Sequence, residues 1–182
     1  MSRSGYIDDE CEDVLAHGRW RGRIASAIRG KRGQALLRKL ADALDAMPQK
    51  QLVAGSLATA EGEFCTLGTI AAKHGIDARN VPDEDWHHEE WEAVGKALNV
   101  APVLVQEIVF ENDEQTCTDE WVNVEICGPM RRGFPDWNRH ERSVRIARPA
   151  AEVGTERWAH MRAWIAKHLV EGAAPSTQGK TR

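Results

Sequence analysis

Paired cysteines at metal or redox spacing are missing from this sequence. Cys11, Cys65, Cys117 and Cys127 stand far apart with no CxxC among them, which excludes a zinc knuckle or thioredoxin-like motif and makes reduced thiols the expectation. Long apolar runs are missing too. None approaches the roughly 20 residues that a membrane helix needs, so no spanning segment is expected. The opening MSRSGYIDDECEDV is polar and acidic, without the apolar stretch of a secretory signal. These absences set the expectation of a soluble, cytoplasmic protein. The common catalytic signatures are also absent: no GxSxG elbow, Walker loop, GxGxxG or HExxH occurs. RGKRGQ has glycines and a lysine but not the GxxxxGK[ST] spacing that cradles a triphosphate. No catalytic residue and no cofactor is therefore expected.

The composition that remains is globular: 42% hydrophobic and 29% charged over 182 residues, enough to bury a core without staples. The two ends are poor in large apolar groups, so the expected division is a flexible N-terminus over 1–13, one globular domain over 14–171 and a disordered tail over 172–182. A first helix is expected from Val14 to Ile28, broken by Gly30 and Gly33. Leu36, Leu37, Leu40, Leu44 and Met47 then recur at helical spacing as far as Pro48. QLVAGSL and EFCTL flank a Glu61-Gly62 turn and predict a hairpin. A short helix follows from Leu67 to Lys73. Val81-Pro82-Asp83 and Ala101-Pro102 open two more, the second turning Val105, Ile108 and Val109 inward. From Trp121 the period changes to two, and again at Ser143 to Ile146, predicting a second hairpin. The last helix is expected from Thr155 as N-cap, with Trp158, Met161, Ile165 and Leu169 on one stripe. The fold class is α+β, a mainly helical single domain with two short β-hairpins, the second inserted before the C-terminal helix over 117–153.

Charge is the strongest functional signal. Between Arg19 and Lys39 lie eight basic residues and no acid, in a chain of net charge −4. Arg19, Arg21, Arg23, Arg29, Lys31 and Arg32 are candidate contacts to phosphate or carboxylate, and Trp20 could stack on a base or a guanidinium. The bland alternative is a solvated helix face neutralised by acids such as Asp8 to Asp13. A second cluster comprises Arg131, Arg132, Arg139, Arg142, Arg145 and Arg148, with Phe134 and Trp137 interleaved. Arginine and tryptophan are enriched at interface hot spots; the alternative is a wet hairpin over which Trp137 packs.

Two segments imitate helix-turn-helix readers of DNA. The first, around Leu67 to Ile76, fails because Pro82 would break the recognition helix. The second, with Asn99 in its turn, presents PVLVQEIVFENDE, which has no Lys or Arg and ends in acids that phosphate would repel. It predicts a buried αα corner instead. Glu84, His88 and Glu92 are spaced i, i+4, i+8 and could face a cation, but no further ligand is evident and no metal is expected. Glu111, Asp113 and Glu114 in FENDE are expected to form a solvated helix end. Tryptophan is plentiful, 7 residues beside 1 Tyr and 3 Phe, leaving room for one exposed anchor.

The strings GRWRGRIASAIRGKRGQALLRKLADALDAMPQKQL, IVFENDE and RWAHMRAWI together resemble an uncharacterised family of tailed-bacteriophage and prophage proteins. The likeness covers residues 1 to about 114 and about 155 to 169, leaving 117–153 as a variable insertion. It implies a phage or prophage accessory product in the host bacterial cytoplasm, with no known activity and no catalytic residues to carry over. The expected function is non-enzymatic binding of a host protein or complex through arginine-rich and aromatic surfaces, an anti-defence or host-takeover inhibitor being one role within that class. The rival is a nucleic-acid-binding regulator or DNA-processing accessory.

Overall fold

The computed structural model of the protein describes residues 14–71, 74, 76, 88–125 and 141–170. The elements run α1 (Val14–Arg29), α2 (Lys31–Ala46), α3 (Gly68–Ala71), α4 (His88–Leu98), α5 (Pro102–Glu114), β1 (Asp119–Glu125), β2 (Glu141–Ala147) and α6 (Ala150–His168). This is a mainly helical α+β fold. Its core comes from one stripe of each long helix: Trp20, Ile24 and Ile28 of α1, Leu37, Leu40 and Leu44 of α2, Leu104, Val105 and Ile108 of α5, and Met161 and Ile165 of α6. Spacings of three and four residues put each set on one face.

The corner between α4 and α5 is tight. Asn99 adopts a left-handed φ of 57°, and the two helix axes diverge by 105°. Asn tolerates that backbone better than most residues because its short amide bonds locally. Gly95 lets the chain fold back, since a Cβ there would lie 3.1 Å from the Val100 carbonyl oxygen. Val103, Leu104, Val105 and Ile108 are buried, so α5 is a packing helix, as its lack of basic residues implies. Among the described residues, no single helix is long and apolar enough to cross a membrane.

β1 and β2 pair antiparallel, with Trp121 opposite Arg145, Val122 opposite Val144 and Asn123 opposite Ser143. Their connection, 126–140, lies outside the described residues, as do 1–13 and 171–182. The first expected hairpin takes a shorter form: a single bridge between Ala58 and Phe64, closed by Gly62 at φ 86° and by the Thr59 amide donating to the Glu63 carbonyl at 2.9 Å. α6 begins at Ala150, after Pro149, and Thr155 is not its cap. The Thr155 hydroxyl instead donates back to the Ala151 carbonyl at 2.8 Å, a bond made inside a helix. Gly154 directly precedes the expected Thr155 cap. It sits within α6 because the Leu52 backbone approaches there, the Leu52 amide donating to the Gly154 carbonyl at 3.0 Å.

Candidate macromolecular interface

The α1–α2 corner is built by two residues of RGKRGQ. A Cβ on Gly33 would lie 2.0 Å from the Ala27 carbonyl oxygen, so only glycine lets the first turn of α2 press onto the last turn of α1. Gln34, 3% exposed, bonds three backbone groups. Its Nε2 donates to the Ile28 carbonyl at 2.9 Å and the His168 carbonyl at 2.8 Å, and its Oε1 accepts from the Val170 amide at 2.8 Å. The corner is thereby fixed to the C-terminal end of α6.

The basic residues face away from this joint. Arg19, Arg21, Arg23, Arg29, Lys31 and Arg32 are all exposed. Among the described residues Arg21, Arg23, Arg29, Lys31 and Arg32 make no ion pair or side-chain hydrogen bond. Arg19 and Arg23 lie one turn apart on one flank of α1, with Arg21 on the other. Lys31 and Arg32 occupy the first turn of α2, where Gly30 supplies no side-chain cap. A helix N-terminus is already positive, so these two cations oppose the helix dipole and concentrate positive potential at the corner. Trp20 does not join them. It is 8% exposed within the core, on the stripe it shares with Ile24 and Ile28, so its indole is withdrawn from stacking. The Asp8 to Asp13 acids lie outside the described residues.

The second surface is the β1–β2 ribbon. Trp121 is 71% exposed, and across from it stands Arg145, whose guanidinium pairs with Asp119. On the same face the Ser143 hydroxyl donates to Asn123 Oδ1 at 2.6 Å. Arg142 is exposed on the opposite face, across from Val124. Trp121 is the exposed anchor that the tryptophan surplus allows. Sequence reasoning did not single out Trp121; its period-two alternation with Val122 and Val124, which are less exposed, is the signal that could have found it. Arg131, Arg132, Phe134, Trp137 and Arg139 lie outside the described residues. Arg148 is not an outward group: it ion-pairs with Glu152 at 2.9 Å and Glu156 at 2.8 Å, and donates to the Cys117 carbonyl.

The IVFENDE and RWAHMRAWI strings turn residues inward. Asn112, 1% exposed, accepts from the Thr66 amide and hydroxyl and donates to the Val53 carbonyl at 2.8 Å. Glu111 is buried beside His160 at 3.0 Å. The expectation of a solvated FENDE end for Glu111, Asp113 and Glu114 therefore holds for Glu114, which is exposed, and fails for Glu111, which is buried, and for Asp113, which is half-buried, because α6 packs across this end of α5. Arg157, also buried, donates through Nε to the Asn112 carbonyl and through Nη1 to the Leu52 carbonyl. Burial lowers its pKa and raises that of nearby Asp113. At the surface, Arg162 grips Asp45 with two bonds of 2.8 and 2.9 Å and holds that carboxyl below its usual range. The Cys65 thiol, sealed in the core, is pushed up to about 12; it stays protonated at neutral pH and is no nucleophile.

Glu84 lies outside the described residues. Glu92 is exposed on α4, and among the described residues no group of three or more His, Cys, Asp or Glu could hold a metal ion. No family model, curated protein or solved structure matches the chain, so the phage resemblance rests on its sequence strings.

Proposed function

We propose that this chain is a non-enzymatic phage or prophage accessory protein that docks on an acidic surface of a host protein or complex through the α1–α2 corner. Inhibition of a defence or housekeeping component is the role such docking would serve. The observation that carries the reading is the placing of Lys31 and Arg32. They are exposed and unpaired among the described residues, at a helix N-terminus where each costs about 0.3–1 kcal/mol. Residues that oppose local stability are explained by what they contact. Trp121 with Arg145 offers a separate contact surface for a partner of its own, of the composition found at interface hot spots.

The test is the Lys31→Glu/Arg32→Glu double variant. Its thermal midpoint is expected to be unchanged or higher, while capture of the host partner from nuclease-treated bacterial lysate is lost. Retained capture by the folded variant would count against the corner as the docking site. A second reading, nucleic-acid binding, is favoured by the absence of any acid between Arg19 and Lys39. It requires affinity that falls steeply with salt through counterion release, and recovery of nucleic acid in the untreated half of the same lysate.

A further inference from the structure

We infer that the groove beside the N-terminal half of α6 is a second, independent binding site, one that takes the C-terminal carboxylate of a partner peptide. The open groove offers roughly 1090 Å³, just above the range of small-ligand pockets. Arg157 lies in its lining and is 4% exposed. Buried cations are ordinarily paired with an acid; this one has only two carbonyls as hydrogen-bond acceptors, and the charges of Asp113 and Glu156 act on it from a distance without closing an ion pair among the described residues. Its bonds use Nε and Nη1, which leaves Nη2 without a hydrogen bond among the described residues in a side chain that lines the groove. The first turn of α6, which no side chain caps, forms part of the wall and adds the positive end of a helix dipole. Arg148 contributes little, since Glu152 and Glu156 already neutralise it.

The rest of the lining selects among anions. Met47, Val53, Phe64 and Val153 give the walls an apolar character, and Glu61 and Glu63 stand in the lining as exposed acids. A polyphosphate would be repelled by that rim. A peptide end satisfies each part in order: its carboxylate on Arg157 Nη2, its last side chain on the apolar wall, and a basic residue upstream beside Glu61 and Glu63.

The experiment uses the 182-residue protein and two fluorescent hexapeptide pools, randomised in the last three positions. One pool carries C-terminal carboxylates and the other C-terminal amides. Amidation is expected to weaken retention roughly tenfold or more, the worth of a charged hydrogen bond, with retained peptides enriched in an apolar last residue and an upstream Lys or Arg. Because Arg157 also holds Leu52 and Asn112 in place, its removal confounds folding with binding. Ala151→Trp is the better control: Ala151 is exposed in the wall, and the indole fills the groove without deleting a bond. It should abolish retention while the protein stays folded by circular dichroism. Equal retention of both pools, retention of neither, or retention undiminished in Ala151→Trp overturns the assignment. Displacement of the acid pool by millimolar inorganic phosphate alone would mark a general anion site and overturn the peptide. Lys31→Glu/Arg32→Glu should leave retention unchanged, which separates this site from the proposed docking corner.

Discussion

Gln34 closes two helix ends with one side chain, and that makes it a sharper point of failure than its polarity suggests. The Ile28 and His168 carbonyls and the Val170 amide each lose their partner if it is truncated. Buried backbone groups left unpaired cost about 1–3 kcal/mol each when fully desolvated. Two of the three are only partly buried, so Gln34→Ala should lower unfolding free energy by roughly 2–4 kcal/mol in urea titration. A loss below about 1 kcal/mol would mean water replaces the amide. Asp45 gives the residue scale its pH dependence. Its folded pKa is depressed by the Arg162 hydrogen bonds, so its stabilisation is complete above the unfolded value and fades as pH falls through the lower folded one. The pair is half exposed, which limits its worth to under about 1 kcal/mol. Asp45→Asn should therefore lower the midpoint slightly at pH 7 and converge with the parent in strong acid. Asp113 has the opposite sign, since burial raises it and acid relieves the cost of its charge.

Among the elements, the α4–α5 corner rests on backbone conformation. Asn99 at φ 57° is followed by Pro102 in the first turn of α5, so the turn is fixed within four positions. Asn99→Ala should cost about 1 kcal/mol through left-handed strain, and Asn99→Gly should cost little or stabilise. Equal midpoints for the two variants would show that the corner is held by packing alone. This corner was legible in the sequence, because Asn, Pro and an uninterrupted apolar stripe are local signals. So were α2, stopped at Pro48, and the period-two strands. What escaped were features set by distant partners. Gly154 and Thr155 look like a helix boundary, yet the Leu52 backbone decides that Gly154 sits inside α6. Glu111 and Asn112 look like a polar tail, yet residues 45 and more positions away bury them. Trp20 lies within a basic run that suggests a surface, and its burial follows only from the phase it shares with Ile24 and Ile28.

On the scale of the whole molecule, α6 sets the distance between the two candidate surfaces. The basic corner is tied to its C-terminal end through Gln34, and the ribbon enters its N-terminal end through β2. Nineteen helical residues rise about 28 Å, so Lys31 and Arg32 at the corner sit a helix length from the point where the described ribbon joins α6. Two sites that far apart, with no shared partner, should behave additively. Trp121→Ser removes a side chain that is 71% exposed, and should shift stability by no more than about 0.5 kcal/mol. Combined with Lys31→Glu/Arg32→Glu, it should give a triple variant whose change in unfolding free energy is the sum of the parts, within a single cooperative transition. Binding distinguishes more than stability does. If one partner spans both ends, each substitution weakens the same complex and the free-energy losses add. If each end has its own partner, Trp121→Ser leaves capture at the basic corner intact. The proposed docking site at the corner predicts that intact capture, measured by titrating the purified partner against the parent and Trp121→Ser proteins. A loss of tenfold or more on Trp121→Ser alone, about 1.4 kcal/mol, would instead make the ribbon part of the same interface and require a partner long enough to run the length of α6.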